Sequence, residues 1–143
     1  QAKTLFPYTT LFRSSNRTHY GVVTLTNLNG YTVVGTAITN YAGNVTNLFS
    51  IAIATGASAI FRISCAFSDA DAPGAGGFDK IAAFYNDVGA LSFSGGSTNL
   101  YNNTLGGVAT NGFFISGTNV IVRAYSANTT RWRARLEVLH SPP

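Results

Sequence analysis

Arg131, Arg133 and Arg135 alternate with Trp132, Ala134 and Leu136 near the end of the chain. In a strand, this period of two sets the three guanidiniums on one face and the indole on the other. Like charges spaced about 7 Å apart repel, so something should compensate them. An acidic ligand would do so through bidentate hydrogen bonds, and a sialylated or otherwise acidic surface glycan or a lipopolysaccharide phosphate fits that chemistry. Asp69, Asp71 or Glu137 of a neighbouring copy is a second compensator. The third reading is a solvated outer face that keeps the strand from pairing promiscuously. All three remain open on the sequence. Arg123, one strand earlier, is expected near the other arginines.

Other residue types with chemical potential read as structural. Asp69 and Asp71, followed by Gly74, Gly76 and Gly77, faintly resemble a D-x-D calcium loop. The loop lacks a later carboxylate unless Asp79 reaches back, so a solvated turn is the expectation and no metal is assigned. Cys65 shares a face with Phe61, Ile63 and Phe67, where a thiol is a small buried hydrophobe. A nucleophilic cysteine needs an adjacent base, and His19 and His140 lie at opposite ends of the chain. Glycoside hydrolysis needs two opposed carboxylates, drawn here from Asp69, Asp71, Asp79, Asp87 and Glu137 alone. Gly74–Gly77 and Gly95–Gly96 lack the following helix or Lys of a phosphate loop. The expectation is a chain that is not an enzyme and takes no cofactor.

The elements that position these residues are strands. Phe49, Ile51 and Ile53 alternate with Ser50 and Ala52, and Leu91 and Phe93 with Ser92 and Ser94. Leu28-Asn29-Gly30-Tyr31 is the strongest hairpin signal, because Asn-Gly tolerates positive φ. Tyr41-Ala42-Gly43-Asn44, Asp71-Ala72-Pro73-Gly74, Asn86-Asp87-Val88-Gly89 and Ser116-Gly117-Thr118-Asn119 close other strands. Strands are expected near 20–27, 31–38, 46–53, 58–68, 78–86, 90–94, 112–116, 119–126 and 130–139. No segment shows a capped 3.6-residue period. Eight to nine antiparallel strands at this spacing predict an all-β, jelly-roll-like β-sandwich. Gly95 to Asn111 reads as a long Gly/Asn/Ser/Thr-rich connection carrying Leu100, Tyr101 and Leu105. It is either a binding loop, with Tyr101 as a ligand-binding residue, or an excursion whose Tyr and Leu pack on the sandwich.

Composition narrows the class. The chain has 143 residues, 45% of them hydrophobic, which suits one domain with one core. Charged residues are only 10%, against roughly 25% in an ordinary soluble domain, and Asn, Thr, Ser and Gly replace them. Such a surface is commoner in secreted proteins, adhesins and virion proteins than in cytosolic enzymes. Thr4 to Ser14, TLFPYTTLFRS, resembles the in-frame translation of a short-read sequencing adapter. Residues 1–14 are therefore expected to be a non-native segment of an assembled environmental sequence, and 15–143 a single domain. With Lys3 and Arg13 set aside, seven basic residues face five acidic ones, so the net charge falls from +4 to +2. That argues against nucleic acid as a partner. No apolar run approaches the ~20 residues of a membrane-spanning helix, so no membrane insertion is expected. Without a Met, the natural protein is expected to begin further upstream, and one cysteine rules out an internal disulfide.

Three segments carry a resemblance: NLFSIAIATGASAIFRISCAF, FDKIAAFYNDVGAL and SGTNVIVRAYSANTTRWRARLEVL. Their order, over residues 47–139, resembles the C-terminal β-domains of phage tail fibres and related tail proteins. The resemblance implies a virion component of the tail, often a homotrimer, that meets a host cell-surface glycan or another virion protein. The chain departs from that pattern at Ala127, where a Gly commonly sits, and in its Arg-rich final strand. The alternative is a carbohydrate-binding or adhesion β-sandwich of a secreted bacterial protein, with Tyr101 or Trp132 stacking on a sugar ring. The alternation of Trp132 with the arginines instead points it toward the core.

Overall fold

Alternation of apolar and polar side chains sets the strands, and burial of the apolar set decides how they stack. The computed structural model describes residues 14–25, 30–71, 73–105 and 109–141. Ten strands follow in order: β1 (Ser14–Tyr20), β2 (Val23–Leu25), β3 (Tyr31–Asn40), β4 (Val45–Ala52) and β5 (Ser58–Asp69). Then come β6 (Ala75–Asp87), β7 (Ala90–Leu105), β8 (Ala109–Ser116), β9 (Asn119–Ser126) and β10 (Thr130–Ser141). A first sheet has the order β1-β3-β10-β5-β6-β7 and a second the order β2-β4-β9-β8. The fold is an all-β sandwich.

The core lies between the sheets. From the first sheet come Phe61, Ile63, Phe67, Phe78, Phe84, Trp132, Leu136 and Val138; from the second come Phe49, Ile51, Phe113, Val120 and Val122. Each such side chain contributes about 1.5–3 kcal/mol by leaving water. Two aromatic clusters anchor the core. Phe61 meets Phe84 edge-on at 5.3 Å and Phe113, across the sandwich, at 6.4 Å. Phe67 lies 4.9 Å from Trp132 and 5.8 Å from Phe78.

The expected antiparallel order holds except at two edges, where β1 pairs with β3 and β2 with β4 in parallel. The cause is a repeated crossing between the sheets. The chain passes from β1 to β2 at Gly21, whose φ is +102°, just as β3 passes to β4. Thr36 Oγ1 donates to Gly21 O, and Gly21 N donates to Ala37 O at 3.1 Å, which ties the first crossing to β3. The single strand expected near 20–27 is thus divided between the sheets. The chain changes sheet at the β1–β2, β2–β3, β3–β4, β4–β5, β7–β8 and β9–β10 connections, but β5, β6 and β7 run as a meander within one sheet, which departs from the jelly-roll expectation.

The expected loop from Gly95 to Asn111 is mostly strand. β7 continues to Leu105 and pairs with β6 from Asp87 back to Ala75. Asn, Ser and Thr favour turns in isolation, but the long neighbouring β6 supplies a ladder that overrides that preference. Residues 1–13 lie outside the described residues, as do Leu28, Asn29 and Ala72 of the expected turns, and β1 begins at Ser14. The remaining turns form as expected: Asn44 N donates to Tyr41 O at 3.1 Å, and Gly117 has a φ of +60°. Among the described residues, no helix is long and apolar enough to cross a membrane.

Candidate functional site

β10 lies between β3 and β5, so its outward side chains stand in the middle of the first sheet's exposed face. Register places Arg131 between Thr39 and Ser68, Arg133 between Ala37 and Ala66, and Arg135 between Gly35 and Ser64. All three arginines are exposed, and Trp132 between them is 1% exposed in the core. Trp132 is therefore unavailable to stack on a ligand. The neighbours of the arginines are small, so the guanidiniums rise from a low floor.

The acidic groups on this face are engaged. Arg62 Nε and Nη2 meet Asp79 Oδ1 and Oδ2 at 3.0 and 2.6 Å, and Ser64 Oγ donates to Asp79 Oδ1 at 3.3 Å. The guanidinium's hydrogen bonds hold the Asp79 carboxyl below the usual carboxylate range, against a smaller opposing effect of burial. Glu137 accepts from Tyr31 OH at 3.2 Å and pairs with Arg135 Nη2 at 3.3 Å. Arg131 and Arg133 have no ion-pair or hydrogen-bond partner among the described residues.

Arg123 does not join them. The β9–β10 connection crosses between the sheets, so these consecutive strands lie on opposite layers. Arg123 Nε donates to Asn47 Oδ1 at 3.2 Å, and its guanidinium carbon stands 4.9 Å from the Phe114 ring centroid. The adjacency expected from the sequence is corrected accordingly. Tyr101 lies on β7, in register with Asp79, and its side chain falls outside the described residues.

Asp69 and Asp71 organise the turn before β10. Asp69 Oδ1 accepts from Thr130 Oγ1 and Oδ2 from Asn128 Nδ2, both at 2.8 Å, while Asp71 Oδ2 accepts from Thr129 N at 3.3 Å. Asp79 does not reach back toward them. Among the described residues, no three His, Cys, Asp or Glu side chains are grouped to hold a metal. Cys65 is buried, with Asn111 Nδ2 2.8 Å from its sulfur. Burial pushes its thiol up to about 11, outweighing the opposing hydrogen bond from Asn111. His140 is six residues along β10 from Ala134, the register partner of Cys65, which separates the two by about 20 Å.

The sequence showed the arginine face but not its partners. The Arg62–Asp79 and Tyr31–Glu137 contacts join residues 17 and 106 positions apart. Arg62 was visible only as a polar residue in an alternating strand.

No protein-family model matches the chain, and no curated protein matches it. Among the solved structures similar to it are two phage tailspike proteins. One is the tailspike protein of Acinetobacter baumannii phage AM24, at 11% identity and a TM-score of 0.43, covering 76% of this chain and 26% of that one. The other is the tailspike protein gp49 of Acinetobacter baumannii bacteriophage Fri1, a capsular polysaccharide depolymerase. Its identity is 12% and its TM-score 0.45, with 82% of this chain and 21% of that one covered. The chain thus spans about a quarter or less of either tailspike.

Proposed function

We propose that this chain is a non-catalytic structural and receptor-binding module of a phage tail fibre. In this reading it works in the virion tail as a homotrimer, with the outer face of the first sheet against an acidic host-surface glycan. The observation that carries the binding role is the state of Arg131 and Arg133. They stand two residues apart on an exposed face without partners among the described residues, above Ala37, Thr39, Ala66 and Ser68. A planar guanidinium with free donors accepts a carboxylate or phosphate in a bidentate geometry. Small neighbours leave room for a sugar ring beside the charge.

The tail-fibre part rests on the sequence resemblance over residues 47–139. The non-catalytic part rests on the described carboxylates. Asp79, held ionised by Arg62, cannot serve as a general acid near neutral pH, and Asp69 is engaged in the turn before β10. Repetition of a weak site around a fibre would raise its effective affinity.

The test is the double variant Arg131→Ser/Arg133→Ser, titrated with polygalacturonate oligomers and with neutral dextran. The reading expects acidic-oligomer binding at least tenfold weaker in the variant, an unchanged melting temperature, and no reducing ends released by either protein. Light scattering should give three copies. Equal binding by variant and wild type would remove the arginine face from the function.

A further inference from the structure

At one end of the same face the β7 ladder breaks, and a cleft opens there. Ala82 pairs with Ser97 and Phe84 with Phe93, so residues 94–96 lie opposite Ala83 alone. Gly95 and Gly96 take φ values of +90° and +81°, a left-handed backbone that glycine adopts without strain. A bulge of this kind forfeits ladder hydrogen bonds and re-aims the strand, and such bulges are common beside functional sites. The cleft it borders has a volume of about 690 Å³, within the range of small-ligand sites.

The lining is mostly apolar, with a hydroxyl edge. Tyr85, Ile60 and Leu139 line it at 44%, 44% and 56% exposure, large values for apolar side chains with no covering element. Leu139 and Ile60 are direct register partners across β10 and β5, so they form one continuous ledge. Ser58 and Ser94 also line the cleft, and each hydroxyl is both donor and acceptor. His140 borders it as well, its Nδ1 buried beneath the ledge. Among the described residues, no Asp, Glu, Lys or Arg lines it.

From these groups we infer that the cleft binds one neutral pyranose ring, its apolar face on Tyr85 and the Ile60–Leu139 ledge and its hydroxyls on Ser58 and Ser94. An anion would find no Lys or Arg among the described lining residues. An acyl chain would leave the serine hydroxyls of the lining without ligand partners. A pyranose has one apolar face and a rim of hydroxyls, which match the apolar wall and the serine edge. The desolvated imidazole of His140 favours its neutral form, in keeping with an uncharged ligand. Six residues along β10 separate Leu139 from Arg133, about 20 Å, so one linear saccharide could span the cleft and the arginines. The inference rests on the glycan-binding reading and adds to it the place and the charge class of a second contact.

The test titrates the whole chain by calorimetry with glucose, galactose and N-acetylglucosamine trisaccharides and with trigalacturonic acid. The expected result is saturable binding of at least one neutral trisaccharide. It should weaken at least tenfold in Tyr85→Ala and in Ser94→Leu, which fills the cleft from an exposed edge position. The Arg131→Ser/Arg133→Ser variant should change it less than twofold, and unchanged melting temperatures would show that each variant folds. Absence of neutral-sugar binding, or binding indifferent to both cleft variants, overturns the inference. If trigalacturonic acid alone binds and the arginine variant abolishes it, the cleft is rejected and the glycan reading stands. Binding of neither class rejects both.

Discussion

Arg62 on β5 and Asp79 on β6 form a two-pronged pair across the first sheet, with Nε–Oδ1 at 3.0 Å and Nη2–Oδ2 at 2.6 Å. The pair fastens the meander at the point where the arginine row of β10 needs a rigid neighbour. Asp79 has its pKa lowered by the hydrogen bonds from Arg62. Its contribution to stability is therefore complete above the ordinary carboxylate value, about 3.9, and is lost as pH falls through the lower folded value. Asp79→Asn should lower the melting temperature at pH 7 by about 1–4 °C, the range of a well-formed but solvent-screened pair. The gap between variant and wild type should narrow below about pH 4. A gap that is constant from pH 7 to pH 2 would show that the carboxylate's charge contributes nothing.

Asp69 is expected to matter for folding rather than for ion binding. Its two oxygens accept from Thr130, which is 0% exposed, and from Asn128, fixing the chain's entry into β10. Hydrogen bonds to a charged acceptor contribute about 1.5–3 kcal/mol each. Asp69→Ala should accordingly cost about 2–4 kcal/mol in urea unfolding, given that partial relaxation offsets part of two such bonds. Calcium or a chelator should leave the wild-type melting temperature within experimental error. A calcium-dependent rise would instead mean that these oxygens exchange their present partners for an ion.

Much of this arrangement was legible in the residue pattern, and the rest was not for identifiable reasons. Period two placed Phe61, Ile63, Cys65 and Phe67 inward on β5, and Trp132, Leu136 and Val138 inward on β10, where all are buried. The same period aligned Arg131, Arg133 and Arg135. Alternation reports which face a residue takes, however, and is silent on which sheet its strand joins. Arg123 was misplaced for that reason. The β7 segment from Ser97 to Leu105 was hidden because its polar residues are held by the partner ladder rather than by their own preference. That Arg133 lacks a partner among the described residues while Arg135 has Glu137 follows from side-chain geometry that no local pattern records.

Cys65 offers a direct measure of how closed the sandwich is. Burial raises its thiol pKa to about 11, so the native side chain stays protonated where a free thiol ionises, near 8.5. Because the folded value is raised, the group's contribution to stability is present below about pH 8.5 and is lost as pH rises toward 11. At pH 8, native protein should react with Ellman's reagent at least a hundredfold more slowly than protein in 6 M guanidinium, since both access and thiolate are withheld. Comparable rates would mean that the two sheets part readily beside Asn111.

Val88 is the clearest conflict between a residue and its conformation. It occupies the β6–β7 turn with a φ of +47°, beside Gly89 at +85°, and these signs match the two central residues of a type I′ hairpin turn. A β-branched side chain is poorly suited to that region, at a cost of about 1–2 kcal/mol. The valine is 87% exposed, so burial returns almost nothing. Asn is tolerated at this φ, and Asn-Gly is a favoured pair for the turn. Val88→Asn should therefore stabilise the chain by about 1 kcal/mol and raise the melting temperature by about 2–6 °C. The saccharide cleft should keep its affinity, because Val88 does not line it. A loss of stability would mean that the exposed valine packs against something in solution, and a search for that partner would begin at the hairpin tip.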